Sequence, residues 1–189
     1  MSLFQILKPK PKSQNSSTCL LLDVSASMDN YIQTEEGLEP RRVDQMFKVV
    51  RETPECTVLK AFVFSNTCWQ FEVLPSENDN FATRSTTALA QAFATVKASG
   101  FFSVILVTDG EPDDEAHALQ EAAGMKLGII YIGNPPVPSF LEQLAKVTNG
   151  TFALADMRSD DQLKIALIHA LPAPEATSSN PDTGGVIKL

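Results

Sequence analysis

The chain is organised around the stretch Thr18-Cys19-Leu20-Leu21-Leu22-Asp23-Val24-Ser25-Ala26-Ser27 (TCLLLDVSAS). Its apolar first half has the length and continuous hydrophobicity of a strand that is buried on both faces, as in a parallel sheet covered by helices. The polar residues Asp23, Ser25 and Ser27 follow at the carboxyl end, which is the edge where open α/β sheets bind ligands. One carboxylate and two hydroxyl groups are hard oxygen donors, which suit Mg²⁺ or Mn²⁺ better than zinc. The stretch therefore predicts a cation site at the rim of a parallel sheet.

Length and composition limit the fold and the classes of partner. The 189 residues, 43% of them apolar, are enough for one domain with a full core. The formal net charge of −8 argues against a nucleic-acid-binding protein, since that affinity depends on clustered lysine and arginine. No apolar run reaches the roughly 18 residues of a membrane span, and the N-terminus lacks the order of a secretory signal. We therefore expect a soluble, cytoplasmic protein that binds neither nucleic acid nor membrane.

The cysteine content points to the same compartment. Cys19, Cys56 and Cys68 form no metal-ligand pair, and an odd count is a poor disulfide framework. We expect buried free thiols in a reducing environment.

The order of predicted elements indicates an α/β fold. The predicted strands are 18–22, 56–65, 68–74, 101–107, 127–132 and 151–154. The predicted helices are 41–52, which Pro54 ends, 87–97, one beginning near 111, 138–148 and 160–171, and residues 28–40 are predicted to be a polar connection. Only two residues separate the second and third strands, so these form an antiparallel hairpin. The pattern predicts a three-layer α-β-α, Rossmann-like fold with a six-stranded, mostly parallel sheet and one antiparallel edge strand.

The expected domain boundaries follow from composition. Residues 1–15 form an N-terminal extension, and residues 16–171 form the domain. Residues 172–189, rich in Pro, Ser, Gly and Thr, form a flexible tail.

Polar residues from three distant segments are expected to meet. The first strand ends at Asp23, the loop before the 87–97 helix holds Ser85, Thr86 and Thr87, and the strand 101–107 ends in Thr-Asp-Gly with Asp109. If the two strands are adjacent, as at a switch point in strand order, these loops converge on one rim of the sheet.

The order Asp-x-Ser-x-Ser, then Thr before x-Leu, then Thr-Asp-Gly resembles the von Willebrand factor A (vWA) domain with its metal-ion-dependent adhesion site (MIDAS). The resemblance covers about residues 16–171. It implies that Ser25 and Ser27 bind the cation directly and that Asp23 acts through water and hydrogen bonds. It also implies that Thr87 and Asp109 bind directly or through water, depending on state.

The chain departs from the family at one position. The family usually has Gly before the metal-binding threonine, and here Thr86 stands there. A β-branched residue is disfavoured at positive φ, so either the loop has a different backbone or Thr86 competes for the ligand role. We favour Thr87, because Leu89 keeps the expected register.

The resemblance implies a metal-dependent protein–protein interaction module, an adaptor that binds an Asp or Glu of a partner through Mg²⁺, with Mn²⁺ or Ca²⁺ as alternatives. Stand-alone intracellular relatives often work beside MoxR-type AAA+ ATPases or in multiprotein assemblies, which implies such a partner here. Glu175 and Asp182 of the tail are candidates for the metal site of a neighbouring molecule, which predicts self-association.

The two alternatives to this function are an enzyme and a metal-free scaffold. A Mg²⁺-dependent phosphoryl-transfer enzyme of the haloacid-dehalogenase-like type needs a second Asp where this chain has Ser25. The sequence has no P-loop, Gly-x-Ser-x-Gly elbow or Cys-His nucleophile, so we expect no enzyme. A scaffold that keeps the fold without the metal is the remaining alternative.

Overall fold

The structure, a computed structural model, describes residues 18–172 except 35, 36, 77, 78, 80, 85 and 111. The predicted N-terminal extension and residues 173–189 of the predicted tail lie outside the described residues, as do Ser85 and Glu111. Among the described residues, no helix is both long enough and apolar enough to span a bilayer.

In the described part of the chain, eight strands form two sheets. They are β1 (Thr18–Asp23), β2 (Tyr31–Thr34), β3 (Gly37–Arg41), β4 (Lys60–Phe64), β5 (Cys68–Phe71), β6 (Ser103–Thr108), β7 (Lys126–Tyr131) and β8 (Thr151–Leu154). The larger sheet has the order β5-β4-β1-β6-β7-β8, with β5 antiparallel and the other pairs parallel. The predicted six-stranded, mostly parallel sheet with one antiparallel edge strand is confirmed.

Helices cover both faces of this sheet. Those described are α1 (Arg42–Glu52), α2 (Pro54–Thr57), α3 (Leu89–Ala98), α4 (Glu115–Glu121), α5 (Ser139–Val147) and α6 (Asp160–Ala170). Successive side chains of β1 point to opposite faces, as the pleat of a strand requires. Leu20 and Leu22 share a core with α1 and α6, whereas Cys19 and Leu21 share a second core with α3, α4 and α5. The predicted three-layer α-β-α architecture is confirmed.

The prediction of a polar connection over 28–40 is wrong. A 3₁₀-helix at Ala26–Asp29 is followed there by the antiparallel pair of β2 and β3, in which Tyr31 lies opposite Arg41. Ile32 is buried in the core, while Tyr31 is 58% exposed. One buried apolar side chain within a polar segment produces no periodic pattern, so the alternation expected of a strand was not visible in the sequence.

The second predicted strand begins too early. The prediction covered 56–65, but β4 starts at Lys60 and the residues before it include the short helix α2. Pro54 begins α2, a position where its fixed φ suits a helix and its missing N–H leaves no bond unmade. The residue that was predicted to end one helix therefore also starts another.

Two helices begin later than predicted, and the first of these shifts leaves a candidate site residue in a loop. α3 begins at Leu89 rather than at Thr87. α4 begins at Glu115, because the Asp114 carboxylate caps it by accepting a hydrogen bond from the helix backbone. Thr87 and Asp113 therefore lie in connecting loops rather than in helices.

The strand order reverses beside β1. Leu21 pairs with Phe62 of β4 on one side and with Leu106 of β6 on the other. The chain builds the β4 side first and then crosses to β6, β7 and β8, which makes the β1–β6 boundary a switch point where open sheets form a ligand crevice. The two strands are therefore adjacent, which meets the condition for their loops to converge and places Asp23 and Asp109 at the same end of the sheet.

Candidate metal centre

Asp23 ends β1 and is fully buried. Its Oδ1 accepts a hydrogen bond from the backbone N–H of Ser25 at 2.8 Å, and its Oδ2 accepts one from the Thr108 hydroxyl at 2.6 Å. Burial raises the pKa of Asp23 to about 6, because desolvation penalises the charged carboxylate. The hydrogen bonds from Thr108 and Ser25 lower this pKa, and the charge of Asp109 raises it. Neutral donors therefore fix both oxygens of Asp23.

The hydroxyl groups of Ser25 and Ser27 lie side by side, with 3.1 Å between their Oγ atoms. Ser25 is the residue before the 3₁₀-helix, and Ser27 lies within it. Ser27 Oγ donates a hydrogen bond to Asp109 Oδ1 at 2.5 Å. Together with the bond from Ser25 N–H to Asp23, these contacts join four of the five predicted site residues into one network, called here the rim network: Asp23, Ser25, Ser27 and Asp109.

The loop that carries Thr87 contacts both loops of the rim network. The N–H of Arg84 donates to the Val24 carbonyl at 3.0 Å, which ties this loop to the one that carries the two serines. Thr87 exchanges two hydrogen bonds with Asp113: its N–H donates to Asp113 Oδ2 at 3.2 Å, and its carbonyl accepts from Asp113 N–H at 3.1 Å. Thr87 is buried, whereas Thr86 is half-buried. The fifth candidate thus lies on a loop that touches the other two.

Arg42 completes the site, and sequence reasoning missed it. Its Nη1 donates to Asp109 Oδ2 at 2.6 Å, with 11% of the Arg42 side chain and 0% of the Asp109 side chain exposed. A signal did exist in the sequence. Arg41 and Arg42 stand at the start of α1, where the helix dipole disfavours cations, so each needs an acidic partner.

Thr108 is a second residue that sequence reasoning missed. It lies beside Asp109 within the Thr-Asp-Gly motif, but its role is to donate a hydrogen bond to Asp23 on the neighbouring strand. The usable signal was a hydroxyl at the last position of a buried strand, because a buried polar group requires a partner.

The donor set of the rim network suits a hard divalent cation. The 3.1 Å between the two serine oxygens is close to the ~3.0 Å that separates neighbouring ligands in an octahedron with bonds of ~2.1 Å. Within residues 18–172 as described, no group of three or more His, Cys, Asp or Glu is placed to hold a metal ion. A site here therefore depends on hydroxyl oxygens as well as on carboxylates, and cation binding by these residues stays a prediction.

An open groove of about 840 Å³ adjoins the site at Arg42. Its walls come from β2, from the residues that follow β7 and from the end of β8, and they include Tyr31, Asn134, Leu154 and Arg158. Tyr31 and Leu154 expose 58% and 51% of their surface. The groove therefore combines polar groups with two accessible large apolar side chains.

Comparison with known proteins identifies the fold. Neither a scan against protein-family models nor a search of curated proteins found a match. Among solved structures, a von Willebrand factor type A protein from Catenulispora acidiphila superimposes with a TM-score of 0.55 and 16% identity, covering 81% of this chain and 41% of that chain. The chain has the vWA fold. Proximal thread matrix protein 1 from the mussel byssus, with a zinc-occupied MIDAS motif, matches with a TM-score of 0.52 and 16% identity, covering 79% of this chain and 45% of that one.

The vWA fold implied by the sequence motif is thus confirmed. The chain spans less than half the length of either matched structure. At this level of identity the likeness is one of fold, and the assignment of individual site residues rests on the rim network of this chain. In the vWA fold of this chain, that network occupies the crevice at the carboxyl ends of β1 and β6.

Proposed function

We propose that the chain is a metal-dependent protein–protein interaction module, an adaptor that binds an acidic residue of a partner through a divalent cation. The observation that carries this proposal is the rim network, in which Ser27 and Asp109 from two distant loops are hydrogen-bonded at the switch point of the sheet. Such a crevice is where open α/β sheets bind their ligands.

In this proposal Ser25 and Ser27 bind the cation through their hydroxyl oxygens, Asp23 acts through water and hydrogen bonds, and Thr87 and Asp109 bind the cation directly or through water. The proposed ion is Mg²⁺, with Mn²⁺ or Ca²⁺ as alternatives, because all the donors are hard oxygens. The zinc-occupied MIDAS motif of the mussel protein supports a divalent ion in this fold. When bound, the ion supplies a Lewis acid that can accept a carboxylate oxygen from a partner.

The charge of the site favours an acidic partner. The rim network contains two carboxylates, and Arg42 already neutralises that of Asp109. A divalent ion held by two hydroxyl groups and at most two carboxylates would keep positions for water, where an Asp or Glu of the partner can bind, so that partner binding and cation binding stabilise each other. The groove beside Arg42, with the exposed Tyr31 and Leu154, offers the partner additional apolar contact.

The proposed partners are proteins of the cytoplasm, and the chain is proposed to bind neither nucleic acid nor membrane. A MoxR-type AAA+ ATPase or another multiprotein assembly is the proposed class. Self-association through the tail carboxylates Glu175 and Asp182, which lie outside the described residues, is a further part of the proposal.

A metal-free scaffold is a second candidate, favoured by one observation. The ion pair of Arg42 with Asp109 satisfies the buried carboxylate without any metal. We do not propose catalysis: Asp23 is fully buried and both its oxygens accept hydrogen bonds, which is unsuited to a nucleophile that must reach a phosphoryl group.

A capture experiment tests the proposal. Immobilised wild-type protein is incubated with native lysate in Mg²⁺ and in EDTA, beside Ser25→Ala and a control, Ser99→Ala, which removes an exposed hydroxyl at the end of α3. The proposal expects specific proteins that are retained in Mg²⁺ by the wild type and the control and are lost with EDTA and with Ser25→Ala. The same proteins retained under all conditions would instead support the metal-free scaffold.

A further inference from the structure

Both carboxylate oxygens of Asp109 are already engaged by this chain. Oδ1 accepts from the Ser27 hydroxyl at 2.5 Å, and Oδ2 accepts from Arg42 Nη1 at 2.6 Å. The Asp109 side chain has no exposed surface, and a buried carboxylate is stable only when it is paired and hydrogen-bonded. Arg42 supplies the charge and the hydrogen bond together.

Asp23 differs from Asp109 in its hydrogen-bond donors. Its two hydrogen-bond donors, the Ser25 N–H and the Thr108 hydroxyl, are neutral. The positive charge of Arg42 is therefore paired with Asp109 and not with Asp23. Asp109 also accepts the hydrogen bond of the Ser27 hydroxyl, which is proposed to bind a cation.

We propose that Arg42 is a built-in counter-ion that competes with a divalent cation for Asp109 and thereby sets the cation affinity of the site. The inference rests on the proposed function, since it requires a cation at the rim network. Without a cation, Arg42 holds Asp109 in place. With a cation, one guanidinium and one divalent ion face a single carboxylate, and their mutual repulsion weakens cation binding.

Open space beside Arg42 allows its guanidinium to move away from Asp109. Arg42 lines the open groove as well as contacting Asp109, and 11% of its side chain is exposed. A bound cation can thus displace the guanidinium from Asp109 toward the groove. The same displacement would change the surface that a partner meets.

Loss of the Arg42 charge therefore has two effects of opposite sign. The metal-free protein loses stability, because Asp109 becomes an unpaired buried charge. The cation binds more tightly, because its competitor is gone. A residue that only supported the fold would produce the first effect without the second.

Arg41 provides a matched control. It precedes Arg42 at the start of α1 and carries the same charge, but it pairs with Asp29 at 2.8 Å and with Asp44 at 2.7 Å. Its Nη1 also donates to the Phe81 carbonyl at 3.0 Å. Arg41→Gln thus removes one positive charge from the same helix start and leaves the contacts of Asp109 intact.

The experiment measures Mg²⁺ and Mn²⁺ binding by isothermal titration calorimetry, and thermal unfolding in EDTA, for the wild type, Arg42→Gln and Arg41→Gln. Arg42→Gln is expected to bind both ions at least about tenfold more tightly than the wild type, and Arg41→Gln to stay within about threefold of it. In EDTA, the Tm of Arg42→Gln is expected to fall by about 5–10 °C.

The outcomes separate the two proposals. Equal cation affinity of the wild type and Arg42→Gln overturns the competition while leaving the metal site standing. An equal gain in affinity for Arg41→Gln also overturns the competition, because the gain would then follow from the loss of any positive charge near the site. Absence of cation binding by all three proteins overturns the metal site and the competition together.

A measurement on the wild type does not depend on the variants folding. The side-chain ¹⁵N–¹H signals of Arg42 and Arg41 are followed by NMR during Mg²⁺ titration. The Arg42 signal is expected to shift in step with binding and the Arg41 signal to stay in place. Cation binding that leaves the Arg42 signal unchanged would overturn the inference.

Discussion

Ser27 donates a hydrogen bond of 2.5 Å to Asp109, although the two residues are 82 positions apart in the chain. The bond forms because β1 and β6 are parallel neighbours, so that the loops after them leave the sheet at the same rim. At the other end of these strands, the Thr18 hydroxyl donates to Ser103 Oγ at 3.0 Å. The parallel register of β1 and β6, fixed along the strands between these two ends, therefore places Ser27 next to Asp109.

Thr108→Val is expected to lower the free energy of unfolding by about 1.5–3 kcal/mol, because it removes a hydrogen bond to a buried charged carboxylate. Valine keeps the β-branched shape that suits a strand. Thr18→Val is the matched control, since it removes a hydroxyl bond between neutral partners in β1 and should cost about 1 kcal/mol. Urea denaturation in EDTA measures both values. Equal losses would show that Thr108 gives Asp23 no special support.

Asp113→Ala is expected to weaken Mg²⁺ binding by about tenfold with little change in stability. The substitution removes the carboxylate that accepts a hydrogen bond from the Thr87 N–H, while the backbone bond from Asp113 N–H to the Thr87 carbonyl remains, and residues that orient metal ligands typically matter at this level. Asp114→Ala is the control: it removes the cap of α4, so it should destabilise by about 1 kcal/mol and leave Mg²⁺ affinity unchanged. Calorimetric titration of both variants checks the pair. A larger loss of affinity in Asp114→Ala would count against a role for the Thr87 loop.

The buried Asp23 predicts a pH dependence of the metal-free protein. Its pKa is raised from the ordinary 3.8 to about 6, so between these values the folded chain keeps a proton that the unfolded chain has lost. The free energy of unfolding therefore falls as pH rises from about 4 to about 6. The loss amounts to about 3 kcal/mol, at ~1.4 kcal/mol per pKa unit.

Asp23→Asn, which cannot ionise, isolates this effect. Urea denaturation of the wild type and of this variant is measured in EDTA at pH values from 4 to 7. The free energy of unfolding of the variant, relative to that of the wild type, should rise as pH rises and level off above about pH 6. Parallel pH profiles would refute a raised pKa for Asp23.

The three thiols are expected to react slowly in the folded protein. Cys19, Cys56 and Cys68 are free. Burial raises the pKa of Cys19 and of Cys68 to about 12 and that of Cys56 to about 11. The reactive thiolate is therefore scarce at pH 8. Titration with a thiol reagent at pH 8 should label little in native buffer and three groups in urea, with half-buried Cys68 reacting first. Rapid labelling of Cys19 in the folded state would contradict its burial.

The sheet was predictable from the sequence because its signals are local. The run Thr18–Leu22 is apolar at every position except the first, and two residues between 56–65 and 68–74 allow only an antiparallel turn. The candidates Asp23, Ser25 and Asp109 could also be predicted, because each lies at the end of such a strand or within a few residues after it. These features depend on neighbours in the chain rather than on tertiary contacts.

The features that were missed depend on contacts between distant segments. β2 and β3 hold together through Tyr31 opposite Arg41 and the burial of Ile32, within a segment that is otherwise polar. The Arg42 ion pair joins α1 to the loop after β6, 67 positions away in the chain. Charge at a helix start signals the need for a partner, but the identity of that partner requires the fold.

A crystal soaked in Mn²⁺ and measured for anomalous scattering tests the metal centre most directly. We expect a peak within about 2.5 Å of both Ser25 Oγ and Ser27 Oγ, with the Arg42 guanidinium displaced from Asp109. Crystals that contain the ion but show no peak between the two serines, with Arg42 still paired to Asp109, would contradict a cation at this rim of the sheet.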